Sequence, residues 1–238
     1  MSASPSLPGV RQKLFGVRRY SSIELLAALV LLFVVTPFLE DLPNGDVIEA
    51  ACMTLVLVSS VLAVGGRRRT LVLSTALLVP AIACKWLSQL HPPPVPPHFH
   101  LVCGLGFIAF VVINLLRFIL RAPRVDAEVL CAAISTYLML GLFWTLAYSL
   151  VGQISPAAFS FSSGPEASHT MNGFNAFYFS FATLSTVGYG DIAPVSKVAR
   201  MLAVMEAIFG MFYVTMLIAR LVAMYSPKGR ESSLSTLE

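Results

Sequence analysis

Six long runs of apolar residues dominate this chain, and they constrain its fold more than any other feature. They cover residues 23–39, 47–65, 71–90, 101–120, 129–151 and 198–225. A run of about 20 apolar residues is long enough to cross the hydrocarbon core of a bilayer as a helix. A soluble protein with a large core is the competing reading. It would need charged outer faces on its helices, and these runs have none. Composition agrees: 57% of the 238 residues are hydrophobic and only 12% charged, about half the charged fraction usual for a soluble domain.

Charge placement sets the expected topology. The chain carries 16 Lys and Arg. Arg11, Lys13, Arg18, Arg19, Arg67, Arg68, Arg69, Arg117, Arg121, Arg124, Arg220, Lys228 and Arg230 fall on one side of a six-crossing arrangement. Only Lys85, Lys197 and Arg200 fall elsewhere. Positive charge concentrates on the cytoplasmic side of membrane proteins, so both termini are expected in the cytoplasm of a multi-pass protein in the cell membrane. The asymmetry reads as topology and not as a nucleic-acid footprint.

The expected organisation follows. Residues 1–22 form a basic cytoplasmic tail, and residues 23–120 a peripheral domain of four helices. A linker at residues 121–128 contains Pro123. Residues 129–225 form a second module, and residues 226–238 a short tail with too few residues for a ligand-binding domain. Pro80 is expected to kink the third span. The segment from His91 to His100 contains five prolines and reads as a stiff outer loop. Its three histidines do not have the spacing of a convergent metal site. Cys52, Cys84, Cys103 and Cys131 all lie in apolar segments and read as small buried residues. No cleavable signal peptide is legible.

Between the fifth and sixth runs the pattern changes. Residues 153–173 are polar and rich in Ser and Pro, reading as an outer turret loop. Residues 174–185 form an amphipathic stretch of twelve residues, too short to span a bilayer at about 1.5 Å per residue. Then comes Thr186-Val187-Gly188-Tyr189-Gly190-Asp191. A short helix followed by Gly-rich extended backbone at membrane depth is a re-entrant loop. Such backbone is tolerated only where protein or a water-filled path satisfies it.

The hexapeptide contains TVGYG and so resembles the filter sequence of potassium channels. Its physics can still be followed. Rings of backbone carbonyls replace the hydration shell of a potassium ion. Aiming successive carbonyls one way requires alternating backbone handedness, which Gly188 and Gly190 adopt at little steric cost. Val187 and Tyr189 turn their side chains outward. Thr186 can add a hydroxyl oxygen, and Asp191 at the mouth would concentrate cations. The C-terminal end of the short helix would favour a cation in the inner cavity.

Residues 129–226 resemble the pore module of the tetrameric potassium channels, and the whole chain resembles the small bacterial six-span members of that superfamily. The resemblance implies an all-α membrane protein: six transmembrane helices, a re-entrant pore helix and a selectivity-filter loop. It also implies a homotetramer with four filter loops around one axis. It places a gating hinge at Gly210, although a small residue for close helix packing explains that glycine equally well. It places Met211, Val214, Ile218 and Val222 on a cavity-lining stripe. The four helices could close near Ile218 and Val222; a lipid-facing or helix-facing position for some of these residues is the competing reading.

Glu206 is an acid within an apolar helix, and charge at such depth normally has a partner. A hydrogen bond behind the filter, to a hydroxyl such as Ser180 or Thr183, is expected. Voltage sensing requires arginines through the fourth span, and residues 101–116 contain none. Arg117, Arg121 and Arg124 read as cytoplasmic anchors, so weak voltage dependence is expected. The functional reading is passive, potassium-selective conduction with no prosthetic cofactor, K+ being the permeant ion. A voltage-gated potassium channel is the runner-up. A poorly selective cation channel would normally lack the intact hexapeptide, and a potassium transporter would carry four such modules in one chain. No phosphate loop, HExxH or nucleophile elbow suggests an enzyme.

Overall fold

The structure, a computed structural model, describes residues 21–39, 45–64, 68–87, 98–122, 126–162 and 169–225. Residues 1–20 of the tail expected at residues 1–22, the tail at residues 226–238, residues 40–44 and most of the proline-rich loop lie outside the described residues.

Among the described residues, seven α-helices carry the fold: α1 Ser21–Leu39, α2 Gly45–Val64, α3 Arg68–Leu87, α4 Phe99–Arg121, α5 Ala127–Ile154, α6 Gly173–Leu184 and α7 Lys197–Tyr225. Among the described residues, α2, α3, α4, α5 and α7 are long and apolar enough to cross a membrane. The apolar part of α1 is shorter, Ser22–Phe38, at the lower limit of about 17 residues for a crossing. The protein is an all-α membrane protein. Pro80 lies inside α3 without ending it.

The α4–α5 junction shows how the sequence sets a boundary. Ala122 closes α4 in extended backbone, the conformation favoured before Pro123. Asp126 then caps α5, its side chain accepting from the Val129 N–H at 3.3 Å. An aspartate at this position satisfies one of the four orphan donors at a helix start.

Among the described residues three buried clusters occur, and the two larger ones organise the interior. The first joins α1 to α5 through Leu25, Leu29, Leu32, Phe107, Val111 and Leu142. The second gathers Trp144 and Tyr148 of α5, Phe179 and Leu184 of α6, and Phe159 and Ile192. Phe33 of α1 joins the two units, meeting Phe177 and Phe181 of α6 edge-to-face with centroids 4.7 and 4.6 Å apart. Edge-to-face pairs match the ring quadrupoles. Helix α1 therefore packs on α6 of the same chain.

The stretch expected as a polar turret is more ordered than its composition suggests. Helix α5 runs to Ile154, a 3₁₀ turn covers Pro156–Ala158, and β1 Phe159–Phe161 pairs antiparallel with β2 Ile192–Pro194. Three-residue strands leave too little alternation to read from sequence.

Candidate functional site

The C-terminus of α6 feeds directly into the hexapeptide. Ser185 caps the helix, and the Thr186 N–H returns to the Thr183 carbonyl at 2.9 Å. The Val187 and Gly188 N–H groups both reach the Ala182 carbonyl, at 2.9 and 3.1 Å. The inner half of the loop is thus tied to the last turn of α6 through its N–H groups. Its carbonyls are left: among the described residues, no donor reaches those of residues 186–190.

Backbone handedness alternates along this stretch. Thr186, Gly188 and Gly190 have φ of 60°, 55° and 83°. Glycine takes the left-handed region freely. Thr186 does not: a β-branched residue at positive φ is a conformational outlier, stored where the surroundings over-determine it. Glycine patterns could not signal it.

The outer end of the loop is clamped. The Asp191 carbonyl accepts from the Ser162 N–H at 2.8 Å and the Ser162 Oγ–H at 3.1 Å. The Ile192 N–H donates to Asp191 Oδ1 at 3.1 Å. The β1–β2 ladder continues this clamp, pairing Phe161 with Ile192 and Phe159 with Pro194. Tyr178 of α6 also supports the mouth: its ring stacks on Tyr189 with centroids 6.0 Å apart and planes 9° apart. Sequence reasoning missed Tyr178 because no local spacing links it to a loop eleven residues on. The Val187 and Tyr189 side chains are largely exposed on the isolated chain.

Behind the loop sits Glu206, fully buried on α7. The Ser180 Oγ–H donates to its Oε1 at 2.6 Å and the Tyr148 hydroxyl to its Oε2 at 2.6 Å. One carboxylate thus joins three helices: α5, α6 and α7. Ser180 also lies 2.8 Å from the Gly141 carbonyl. Thr183 does not take part in these bonds. Tyr148 was legible only indirectly, as a phenol in an apolar helix needing a partner.

Gly210 is buried against the end of α6. A Cβ there would lie 2.4 Å from the Leu184 carbonyl oxygen, so close packing alone accounts for the glycine. No break in α7 occurs at this position. Met211, Val214, Ile218 and Val222 are exposed on the isolated chain. Deeper on α7, Arg220 Nη2 donates to the Ala122 carbonyl at 2.7 Å, at the C-cap of α4, and the Tyr213 hydroxyl donates to the Ala133 carbonyl at 2.6 Å. Arg117 and Arg121 are exposed near the end of α4. His98 lies near Gln153, and no metal-binding cluster occurs among the described residues.

Comparison with known proteins agrees with this geometry. The ion channel family model matches residues 132–226, from α5 to just beyond α7. The voltage-gated potassium channel Kch of Escherichia coli (strain K12) is 35% identical over 132 residues, which is 55% of this chain. The chain spans 28% of that relative's length. No solved structure matches significantly. Residues 132–226, carried by α5, α6 and α7, thus match the ion channel family, and the chain is similar over about half its length to a potassium channel.

Proposed function

We propose that four copies of this chain assemble around one axis and conduct K+ passively through a filter lined by residues 186–191. The observation that carries this reading is the run of carbonyls at residues 186–190 that no donor reaches, on backbone of alternating hand. Residues 186–190 are exposed on the isolated chain; at membrane depth their carbonyls need a partner, and the fitting one is a dehydrated cation. The hydroxyl of Thr186 adds an inner oxygen, and the Asp191 carboxylate draws cations to the mouth.

The fourfold assembly is supported by the exposure of α7. Only 11% of its membrane window is buried, against 56% for α5. Apolar helices need no cover from lipid, but residues 185–190 are also exposed on the isolated chain, and irregular backbone at membrane depth needs protein around it. Met211, Val214, Ile218 and Val222 then line the cavity, with the narrowest point near Ile218 and Val222. Gly210 serves packing first, and any hinge there must act against the Leu184 contact. Glu206 acts as a positioning residue that locks the pore helix to its neighbours.

The wider arrangement belongs to the same proposal. Residues 23–120 form a peripheral domain, residues 121–128 a linker and residues 129–225 the pore domain, in the cell membrane with both ends cytoplasmic. Voltage dependence is weak, because residues 101–116 of α4 carry no arginine. The test is native mass spectrometry of the purified protein together with K+ efflux from proteoliposomes. Four chains per particle and efflux abolished by Gly188→Ala are expected. A dimer, or efflux untouched by that change, would refute the proposal.

A further inference from the structure

A cavity of about 460 Å³ lies away from the filter, between the peripheral helices and the pore module. This falls within the range of about 300–1,000 Å³ typical of small-ligand sites. All of α1 to α5 contribute to its wall, together with the start of α6. The filter reading uses none of it.

The cavity has two unlike ends. Leu57, Ala81, Ile108 and Leu142 form a buried apolar floor. The polar lining residues sit where five elements end or begin on the same side of the bundle. Glu49 is near the start of α2, Lys85 in the last turn of α3, His100 in the first turn of α4, Gln153 at the end of α5, and Asn172 at the N-cap of α6. An apolar floor beneath a polar mouth, in a protein surrounded by lipid, selects an amphiphile over a wholly polar or wholly apolar ligand.

The charge balance at the mouth narrows the head group. Lys85 Nζ lies 3.0 Å from Glu49 Oε1. The cation and the anion already satisfy each other, and both are about three-quarters shielded from solvent. Among the described residues that line the mouth, a charged head finds no carboxylate or ammonium to spare, and an uncompensated charge in a shielded site is expensive. The side-chain amides of Gln153 and Asn172 can instead donate to and accept from an uncharged head.

We propose that this cavity binds a neutral amphiphile, one acyl chain on the apolar floor and a hydroxyl- or amide-bearing head at the Glu49–Lys85 mouth. The proposal needs the chain to sit in a bilayer, but it does not depend on the pore reading. A membrane monoacylglycerol and a small neutral amphiphile from outside share this chemistry.

The test uses the full chain in lipid nanodiscs and a diazirine-bearing monoacylglycerol as photoprobe, with crosslinked peptides mapped by mass spectrometry. Label is expected on α2, α3 and α5 residues of the cavity. Unlabelled monoacylglycerol should compete better than the fatty-acid anion of equal chain length, and a neutral short-chain alkyl amide should compete as well, showing that the head chemistry and not the lipid class decides. Labelling should fall about tenfold in Ala81→Phe, whose ring fills the floor. In Glu49→Gln the carboxylate 3.0 Å from Lys85 is removed, and the fatty-acid anion should become the better competitor. That inversion is read without Ala81→Phe, should the larger side chain prevent folding. Label spread over outward-facing residues such as Val30, Val72 and Val79, a fatty-acid preference in the unaltered protein, or an unchanged preference in Glu49→Gln would each overturn the proposal.

Discussion

Gly210→Ala separates a packing role from a hinge role, and its cost can be worked from the structure. The added Cβ would lie 2.4 Å from the Leu184 carbonyl oxygen, 3.0 Å from Leu184 Cδ1 and 3.3 Å from the Leu184 carbonyl carbon. The nearest atom is backbone, so no side-chain rotation relieves the clash. Either α7 or the end of α6 must move by about 1 Å to reach ordinary contact. Overpacking of this kind costs about 1–3 kcal/mol, and a backbone contact belongs at the upper end. Alanine returns about 1 kcal/mol through its better helix propensity. The net expectation is a loss of about 1–2 kcal/mol per chain. Because Leu184 directly precedes the loop, the displacement should also reach the filter and blur ion discrimination. The assay is thermal dissociation of the purified assembly followed by size-exclusion chromatography, alongside reversal potentials in planar bilayers. Leu184→Ala added to Gly210→Ala should restore little, since it removes Cδ1 but leaves the carbonyl in place. A Gly210→Ala protein that is as stable and selective as the original, with altered open times alone, would refute the packing argument and favour a hinge.

Other outcomes follow from the same geometry. Tyr148→Phe removes the donor to Glu206 Oε2 and should cost about 1–3 kcal/mol, the penalty for a buried acceptor left unsatisfied, read by thermal dissociation. Glu206→Gln keeps the shape but changes the donor pattern, so it should shift open probability in single-channel records; unchanged expression and gating would remove Glu206 from the mechanism. Gly141→Ala should be severe, because the new Cβ would lie 2.1 Å from Phe181 Cζ on the pore helix, and a failure of the assembly to form is expected on size exclusion. Arg117→Gln with Arg121→Gln should leave a shallow conductance–voltage curve nearly unchanged, whereas a steep curve abolished by this pair would establish voltage sensing through α4.

The legible and illegible parts of this protein divide on physical grounds. Long apolar helices announce themselves because lipid imposes their length and composition, so the limits of α4, α5 and α7 lie within a few residues of the apolar runs. The short helix α6 was legible from the same rule applied in reverse. The β1–β2 clamp was not, since its strands have three residues each and are held by a partner about 30 residues away. An acid at position 206 signals that it needs partners, but Tyr148 and Ser180 lie 58 and 26 residues distant and no local period connects them. Thr186 shows a different failure. Its positive φ is imposed by the two-sided anchoring of the loop, against the preference of a β-branched residue. Helix α1 shows a third: Phe33 meets the pore helix through shape alone, and sequence carries no trace of that contact.

The account stands or falls on whether peptide oxygens of residues 186–190 take the place of an ion's water. Bi-ionic reversal potentials of the purified protein in a planar bilayer, K+ on one side and Na+ on the other, test this most directly. A large reversal potential of the sign set by K+ permeation, collapsing in Gly188→Ala as the left-handed position at φ 55° is strained by about 1–2 kcal/mol per chain, is the predicted result. A reversal potential near zero in the unaltered protein would contradict it.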